Sequence, residues 1–171
     1  YLRRIIARGK VPAACAWTYK MVKKNKEPVV VFGEHQDILD SYTEGLRKLK
    51  IPLVRLDGTT SRISRQRAID GFQNGNVSVF LGSRAAFEGI TLTRARHLMF
   101  LERFFTPAAE EQAEDRIRRI GQTRQTFIWY LTAEGTIDER IEEIVDRKRR
   151  IIKRVVGQPD IETDKLEDTL D

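Results

Sequence analysis

The stretch VVVFGEHQDILDSY, residues 29–42, joins a run of β-branched and aromatic residues to a segment with helical spacing. The run VVVF has the length and composition of a buried strand, and apolar residues then recur at helical intervals over residues 36–49. A strand that leads directly into a helix is the repeating unit of parallel sheets, because parallel neighbours need a crossover connection. The stretch therefore indicates an α/β fold.

The same alternation continues along the chain. The other runs with strand character are LVRLD (53–57), VSVFLG (77–82), HLMFLE (97–102) and TFIWYLT (126–132). Helical spacing recurs near residues 62–74 and 107–119, between these runs. We expect an α/β domain of three layers, with a mainly parallel sheet covered by helices on both faces.

A long amphipathic helix is predicted after the last strand, because Thr136 and Glu139 have capping-box spacing and an apolar stripe follows. The stripe comprises Ile137, Ile141, Ile144, Val145, Ile151, Ile152 and Val155. We expect this helix to brace the core, and a partner-binding helix is the alternative. Gly157 and Pro159 are expected to end the helix, and the acidic tail after them to be mobile.

Length and charge give a first division of the chain. The 171 residues, 40% of them apolar, are enough for one sizeable core. The net charge of +6 favours an anionic partner, and residues 1–26 hold eight Lys or Arg and no acid, whereas residues 160–171 hold six acids and one lysine. We expect a basic helical leader or linker over residues 1–28, a single domain over residues 29–156 and an acidic tail over residues 157–171. A merely solvated, charged helix is the alternative for the leader.

Several classes of protein are excluded. No stretch of 18 apolar residues and no signal-peptide pattern is present, so we expect an intracellular protein without membrane contact. Cys15 is alone and cannot form an internal disulfide, and it is far in sequence from His35 and His97, so no metal site is predicted. The first residue is tyrosine, and we interpret the chain as part of a longer protein.

Two of the predicted strands end in loops whose residues suit phosphate binding. In LDGTTSRISRQR, residues 56–67, the hydroxyls of Thr59, Thr60 and Ser61 precede a helix, where free N–H groups favour anions. Ordinary turn and N-cap chemistry uses the same residue types and is the alternative. In LGSRAAFEGITLT, residues 81–93, a strand delivers Ser83 and Arg84, and Gly89 lets the backbone approach a ligand closely. Arg84 is a candidate bidentate phosphate donor, although a surface arginine explains it equally well.

The segment QAEDRIRRIGQ, residues 112–122, presents a second kind of pattern. At 100° per residue, one helical stripe comprises Gln112, Arg116 and Arg119, and another comprises Ala113, Ile117 and Ile120. We expect the apolar stripe to be buried and the polar stripe to be presented. Arginines that complement the helix dipole before a C-terminal glycine are the alternative, but that alternative does not require Gln112.

The chain also lacks the parts that hold a nucleoside triphosphate. No G-x-x-x-x-G-K-[ST] loop occurs, and no acidic magnesium-binding box follows a strand. A chain that presents arginines but lacks this triphosphate-binding loop is expected to supply the arginines to a nucleotide across an interface.

Taken in order, these motifs resemble the C-terminal RecA-like lobe of superfamily-two helicases, specifically the Swi/Snf-type DNA translocases. The segments that carry the resemblance over residues 29–140 are VFGEHQDILDSY (31–42), RLDGTTSRISR (55–65), GSRAAFEGITLT (82–93), ERFFTP (102–107) and QAEDRIRRIGQ (112–122). The last is the most specific, and YLTAEGTIDERI (130–141) is similar to the closing segment of the family. The sequence is most similar to annealing-helicase-type members and their short microbial relatives.

The resemblance implies a RecA-like fold, ATP and magnesium bound mainly by a first lobe outside this chain, and double-stranded DNA across one face. It implies arginine-finger roles for Arg116 and Arg119, and support of the ATP site by Gln112 and Gly89. The positions that it places on DNA-contacting segments are Thr59, Thr60, Ser61, Ser83 and Arg84. Arg65 matches an arginine that fixes its helix.

Some residues depart from the family pattern. Ala86, Phe87 and Glu88 stand where two glycines and a leucine are frequent, which implies a stiffer loop before Gly89. Arg118 replaces a usual histidine, and the motif ERFFTP lacks the tryptophan and asparagine that are common there. The expected function is the second motor lobe of an ATP-dependent DNA translocase or remodeller acting inside the cell. The alternatives are a non-catalytic nucleic-acid-binding module and an RNA helicase lobe.

Overall fold

A computed structural model describes residues 2–87 and 89–156. The strands are β1 (Val29–Phe32), β2 (Leu53–Leu56), β3 (Val79–Gly82), β4 (His97–Phe100) and β5 (Phe127–Tyr130). The helices are α1 (Leu2–Tyr19), α2 (Gln36–Lys48), α3 (Arg62–Gln73), α4 (Pro107–Glu114) and α5 (Ile137–Val156). A π-helical turn, Lys20–Lys24, continues α1, and a 3-10 turn, Arg84–Ala86, follows β3.

All described strands belong to one parallel sheet, in the order β2-β3-β1-β4-β5. From β1 the chain crosses to β2 at one edge of the sheet and returns to β3, which lies between them. The last two strands, β4 and β5, then follow on the other side of β1. Right-handed crossovers then place α2 on one face and α3 and α4 on the opposite face. The predicted three-layer α/β fold with a parallel sheet is confirmed.

Alternate residues of each strand pack into two separate cores. Val30 and Phe32 of β1 face a core that includes Phe72 of α3 and Ala113 of α4. The intervening strand residues, with Val31 among them, face a core built by α1 and α2. Strands that are buried on both faces account for the continuous apolar runs by which the sequence predicted them.

The basic N-terminal segment forms α1, which packs on α2 and contributes Ala7, Val11 and Ala14 to the second core. Lys10 is buried in α1 and donates hydrogen bonds to Asp138 at 2.6 Å and to the carbonyl oxygen of Leu131 at 2.7 Å. The basic segment is thus packed against the domain, and the division of the chain at residue 28 stays a prediction.

The apolar stripe of α5 is buried against the domain only in the first half of the helix. Ile141 and Val145 are 4% and 0% exposed. The stripe residues that remain at least 38% exposed are Ile137, Ile144, Ile151, Ile152 and Val155. The first half braces the core, as predicted, and the second half presents its apolar side to solvent. The predicted helix end at Gly157 and Pro159 and the acidic tail lie outside the described residues.

The predicted helix over residues 107–119 is wrong in its C-terminal part, because α4 ends at Glu114. The next residues form turns, and the carbonyl oxygen of Arg116 accepts a hydrogen bond at 2.8 Å from the N–H of Leu92 instead of completing a helical ladder. Ile117 is buried as expected, whereas Ile120 is fully exposed. A tertiary hydrogen bond thus replaces the last helical turn.

Candidate functional site

Arg116 and Arg119 lie after α4, in the connection that returns to the start of β5. The candidate DNA-binding residues lie on loops that follow the carboxyl ends of β2 and β3, and the carboxyl ends of all described strands meet at one edge of the sheet. We call this the carboxyl edge. In register, Leu56 of β2 aligns with Gly82 of β3, and Phe32 of β1 aligns with Phe100 of β4. Open α/β sheets bind their ligands outside this edge.

Arg116 and Arg119 converge on a single backbone acceptor. The Nη1 atoms of Arg116 and Arg119 lie 3.5 and 3.2 Å from the carbonyl oxygen of Ile90. Arg119 also donates to the hydroxyl of Thr91 at 3.0 Å, and Nε of Arg116 donates to the carbonyl oxygen of Gln112 at 3.0 Å. The three residues predicted to share a stripe are therefore adjacent, although they do not lie on one helix.

Gly89 stands immediately before the shared acceptor. Its φ of +68° lies in the left-handed region, and a Cβ atom there would have no heavy atom within 4 Å. A side chain at this position would be strained by the backbone and not by its neighbours. The structure thus brings Gly89, Arg116 and Arg119 together around Ile90, which groups three of the four residues assigned to ATP.

Gln122 anchors the far end of the arginine-bearing segment, a feature that sequence reasoning missed. Its Nε2 lies 3.0 Å from the carbonyl oxygen of Thr93, 2.8 Å from that of Ala95 and 3.3 Å from that of Ile117. Its side-chain oxygen accepts from the N–H of Arg124 at 3.1 Å. The side-chain amide of Gln122 therefore joins the arginine-bearing segment to the loop that follows Gly89. Its place in the motif, next to Gly121, was the available signal.

Gln112 is exposed and shares a shallow groove of about 460 Å³ with Arg84. The other residues that line the groove are Thr106, Ala108, Ala109, Glu111 and Asp115. Arg84 is also exposed, so its guanidinium is available to an incoming group. The structure therefore places Arg84, which the resemblance assigned to DNA, beside Gln112, which it assigned to the ATP site.

The hydroxyls of Thr59, Thr60 and Ser61 already make local hydrogen bonds. The N–H and hydroxyl of Thr59 donate to Oδ1 of Asp57 at 3.0 and 2.6 Å, and the hydroxyl of Thr60 accepts from the N–H of Asp57 at 3.0 Å. Ser61 is the N-cap of α3 and accepts from the N–H of Ser64 at 3.2 Å. Hydrogen bonds from Thr59 are the main reason that the pKa of Asp57 is lowered. These contacts are the turn and N-cap chemistry of the alternative interpretation.

Ser83 and the loop of Thr59 to Ser61 lie side by side. The N–H of Ser83 donates to the carbonyl oxygen of Leu56 at 3.0 Å, and the Ser83 side chain is buried. Arg65 of α3 donates to the carbonyl oxygens of Ala85 and Ala86 at 3.4 and 3.1 Å, which joins α3 to the 3-10 turn. The two DNA-assigned segments therefore form one surface at the carboxyl edge.

A buried ion network, which the sequence did not reveal, lies between α4 and α5. Arg103 makes a two-point contact with Glu110 at 2.7 and 2.9 Å, and Arg149 of α5 donates to Glu110 and Glu114 at 3.2 and 3.1 Å. Glu114 also accepts from the hydroxyl of Tyr130 at 2.7 Å. Burial opposes the charge of Arg103, but hydrogen bonds and attraction from Glu110 outweigh it and raise the pKa of Arg103. The network fixes α5 to the last residue of α4.

Glu102 fills the topological switch point between β1 and β4. Its side chain is buried, and Oε2 accepts hydrogen bonds from the N–H groups of Glu34 and His35 at 3.0 and 3.1 Å. Oε1 lies 2.6 Å from Nδ1 of His35. The start of α2 is thereby joined to the end of β4. An internal carboxylate occupies the crevice that in many open sheets receives a ligand.

Neither a metal cluster nor a membrane-spanning helix is found in the described part of the chain. Over residues 2–87 and 89–156, no three His, Cys, Asp or Glu side chains are grouped so that they could hold a metal ion. No helix within those same residues is long and apolar enough to cross a membrane.

Comparison with known proteins gives consistent results. The model of the helicase conserved C-terminal domain family matches residues 12–121. The crystal structure of the C-terminal part of the Fun30 ATPase domain superimposes with a TM-score of 0.75 and 30% sequence identity, over 80% of this chain and 45% of that one. At this identity, the likeness supports family membership as well as fold.

Sequence relatives extend this result. SWI/SNF-related matrix-associated actin-dependent regulator of chromatin subfamily A-like protein 1 of Xenopus laevis is 34% identical over 148 residues, 85% of this chain and 15% of that protein. Human DNA annealing helicase and endonuclease ZRANB3 is 32% identical over 147 residues, 85% of this chain and 14% of that protein. The chain thus spans about a seventh of the length of these relatives. The RecA-like fold, the family match and these relatives together establish that the chain belongs to the helicase conserved C-terminal domain family and is a C-terminal lobe of the Swi/Snf type.

Proposed function

We propose that this chain is the second motor lobe of an ATP-dependent double-stranded DNA translocase or remodeller. The convergence of Arg116 and Arg119 on the carbonyl oxygen of Ile90, beside Gly89, is the observation that carries the proposal. The substrate ATP would be held by the first lobe, and the arginine pair would meet it across the gap between lobes. The names of the relatives, which include a DNA annealing helicase and a regulator of chromatin, support DNA as the nucleic acid.

The arginine pair would act when the lobes close. Transfer of the terminal phosphoryl group to water spreads negative charge over its oxygens, and a guanidinium that arrives at that stage stabilises the transition state more than the ground state. A backbone carbonyl is a neutral acceptor, so it orients the two guanidiniums without cancelling their charge. Arginine fits this role because it stays charged and can donate two parallel hydrogen bonds.

The magnesium ion that accompanies ATP is assigned to the first lobe. The described residues offer no cluster of three candidate ligands, and the chain has no phosphate-binding loop. The donor set of this lobe consists of guanidiniums, an amide and backbone groups, which suits phosphate oxygens and not a hard divalent cation. We therefore infer that the chain alone does not hydrolyse ATP.

Duplex DNA would contact the surface formed by Thr59, Thr60, Ser61, Ser83 and Arg84. Arg84 is its exposed cation, and the hydroxyls and backbone N–H groups around it can contact phosphate oxygens. Arg84 also lines the groove of Gln112, and the carbonyl oxygen of Gln112 accepts a hydrogen bond from Arg116. A movement of DNA against this surface would therefore change the position of Gln112 and of the arginine that contacts it. This shared groove gives a physical route for coupling the two ligands. We place such a protein inside the cell, in association with DNA.

The decisive experiment measures ATP hydrolysis by the protein with both lobes, in the absence of nucleic acid and with saturating duplex DNA or duplex RNA. Stimulation by DNA supports the proposal. Stimulation by RNA alone would identify an RNA helicase lobe. Binding without hydrolysis, from a protein whose first lobe carries a phosphate-binding loop, would identify a non-catalytic nucleic-acid-binding module.

A further inference from the structure

The opposite edge of the sheet, where the strands begin, is strongly basic. We call this the amino edge. The charged residues of the segments that lead into the strands are four lysines in 20–28, two lysines in 48–52, two arginines in 93–96 and one in 121–126, against Glu27 alone. Cations therefore dominate the edge of the sheet opposite to the loops of Thr59 to Ser61, Ser83 and Arg84.

The arginines of this edge serve the fold. Arg94 donates to the carbonyl oxygens of Phe72 and Val77 at 2.8 and 2.7 Å. Arg96 and Arg124 share the carboxylate of Glu27, at 2.8 and 3.4 Å. Because Glu27 is already shared by two guanidiniums, it cannot neutralise the remaining cations.

Six lysines remain, and we call them the lysine edge. They are Lys20, Lys23, Lys24, Lys26, Lys48 and Lys50. All are exposed, and within the part of the chain that the structure describes none forms an ion pair. Their charges are therefore presented to solvent, and Glu44, whose pKa Lys48 helps to lower, is already paired with Arg47.

Lys26 and Lys50 hold a backbone conformation that lysine disfavours. Their φ angles are +59° and +54°, and among the described residues they alone are non-glycine residues with positive φ. Each follows the C-cap of a helical segment, Asn25 and Leu49 respectively, which is the position where glycine is strongly preferred. A lysine in place of glycine here adds backbone strain, since the left-handed region disfavours any Cβ.

The favourable interaction of a cation with a helix C-terminus does not explain this choice. Lys48 already lies in the last turn of α2, and Lys23 and Lys24 already lie in the last turn of the π-helical segment, all without positive φ. A further charge at each strained position adds little to that interaction. The two lysines instead extend the basic surface where glycine would interrupt it.

The sheet sets the two strained lysines side by side. Lys26 and Lys50 each stand three residues before the first residue of a strand, Val29 and Leu53, and both of those residues align with Val79 of β3. Because β3 lies between β1 and β2, the two lysine backbones are separated by about two strand spacings, roughly 10 Å. The charges therefore form a row across the edge and not an isolated pair.

We propose that the lysine edge binds the sugar-phosphate backbone of duplex DNA, as a second contact surface at the edge of the sheet opposite to the loops of Thr59 to Ser61, Ser83 and Arg84. Phosphate backbones are bound by cations without base readout, whereas stable protein partners require buried aromatic or aliphatic anchors. Tyr19 and Leu49 are the large apolar side chains that flank the row, and they are only 40% and 37% exposed. The inference adds to the proposed function and does not depend on it.

The test uses the protein with both lobes, a short fluorescently labelled duplex DNA of arbitrary sequence, and the double variant Lys26→Gly/Lys50→Gly. Glycine relieves the positive-φ strain, so we expect the melting temperature to rise, on the order of 2 °C for each substitution. The slope of log K against log salt should fall by about 2 in magnitude, because each lost phosphate contact removes about 1. The matched control, Arg147→Gln/Arg150→Gln, removes two exposed charges from α5 and should leave the slope nearly unchanged.

A variant that gains stability and loses DNA affinity cannot owe the loss to misfolding. If affinity and salt slope are unchanged in this variant and in Lys20→Gln/Lys23→Gln/Lys24→Gln, the proposal is wrong. It is also wrong if these variants lose affinity for polyglutamate but not for DNA, since the edge then takes an acidic protein. Loss of DNA affinity in Arg84→Ala alone would support the first DNA surface while rejecting this one.

Discussion

Arg116 and Arg119 donate hydrogen bonds to the same acceptor, the carbonyl oxygen of Ile90, over distances of 3.5 and 3.2 Å. Two guanidiniums on one neutral oxygen repel each other, so this arrangement requires that the surrounding backbone hold them. The Arg116 carbonyl is bound by Leu92, and Gln122 ties the end of the segment to the same loop. The pair is therefore preorganised against the loop that follows Gly89, and among the described residues no carboxylate forms an ion pair with it.

This geometry predicts a large kinetic effect from either arginine. We expect Arg116→Ala and Arg119→Ala each to lower the DNA-stimulated kcat of the protein with both lobes by at least about a hundredfold, since arginine fingers contribute roughly 10³ to 10⁵ in rate. Arg118→Ala is the matched control, because Arg118 lies in the same turn but donates to Glu114 and Thr126. Steady-state hydrolysis and a melting curve are measured for each variant.

Folding and DNA affinity should change little, because neither guanidinium is buried. Near-normal turnover in both variants would leave the arginines as structural donors to Ile90. An equal loss in Arg118→Ala would mean that the positive charge of the turn matters, and not the pair on Ile90.

The sequence identified the strands because their chemistry is local. VVVF is buried on both faces, so four consecutive apolar residues were sufficient to predict β1, and β3 and β4 are fully buried in the same way. The outer strands β2 and β5 are only partly buried, and their β-branched and aromatic residues predicted them. The carboxyl-edge loops were then predictable, since every strand of a parallel sheet ends at that edge. The assignment of Gly89, Arg116 and Arg119 to one place came from the resemblance, and the hydrogen bonds to Ile90 agree with that grouping.

Features that depend on distant partners were not predictable from periodicity. The helical pattern of residues 107–119 gives no sign that Leu92 would capture the Arg116 carbonyl and end α4 early. The partners Arg103 and Asp146 are 43 residues apart, so their ion pair leaves no local pattern. Ile120 belongs to the apolar stripe of an ideal helix, yet it is exposed because that helix does not reach it.

Gln122 is predicted to position the arginine pair without touching ATP. Gln122→Met keeps the approximate size of the side chain and removes its N–H donors, so the segment would loosen from Thr93 and Ala95. We expect kcat to fall by roughly tenfold to a hundredfold with little change in KM, since displacements of about 1 Å can cost that much. The measurement is a double-mutant cycle with Arg119→Ala. If Gln122 acts through the arginine, the double variant should be no slower than Arg119→Ala; a fully additive loss would assign Gln122 a separate role.

The buried ion network is predicted to carry stability. Glu110→Ala would leave Arg103 with Asp146 as its remaining carboxylate, and breaking a buried pair from one side costs about 3 to 5 kcal/mol. We expect a loss near the lower end, about 3 kcal/mol, because Arg149 retains Glu114. Denaturant unfolding measures the change. Glu44→Ala, which breaks the exposed pair with Arg47, is the control and should have little effect.

Asp57 is predicted to make the carboxyl edge sensitive to acid. Hydrogen bonds from Thr59, opposed by some desolvation and assisted by Arg55, lower the pKa of this carboxyl from its ordinary value of 3.8. A carboxyl whose folded pKa is lowered stabilises the fold above its unfolded pKa, and this contribution is lost as the pH falls through the folded pKa. We expect Asp57→Asn to reduce the free energy of unfolding at neutral pH and to make no difference well below pH 3.8. Unfolding curves of both proteins across this range test the expectation, and a difference that persists at the acid end would show that packing, and not the ionised carboxylate, is what the substitution removes.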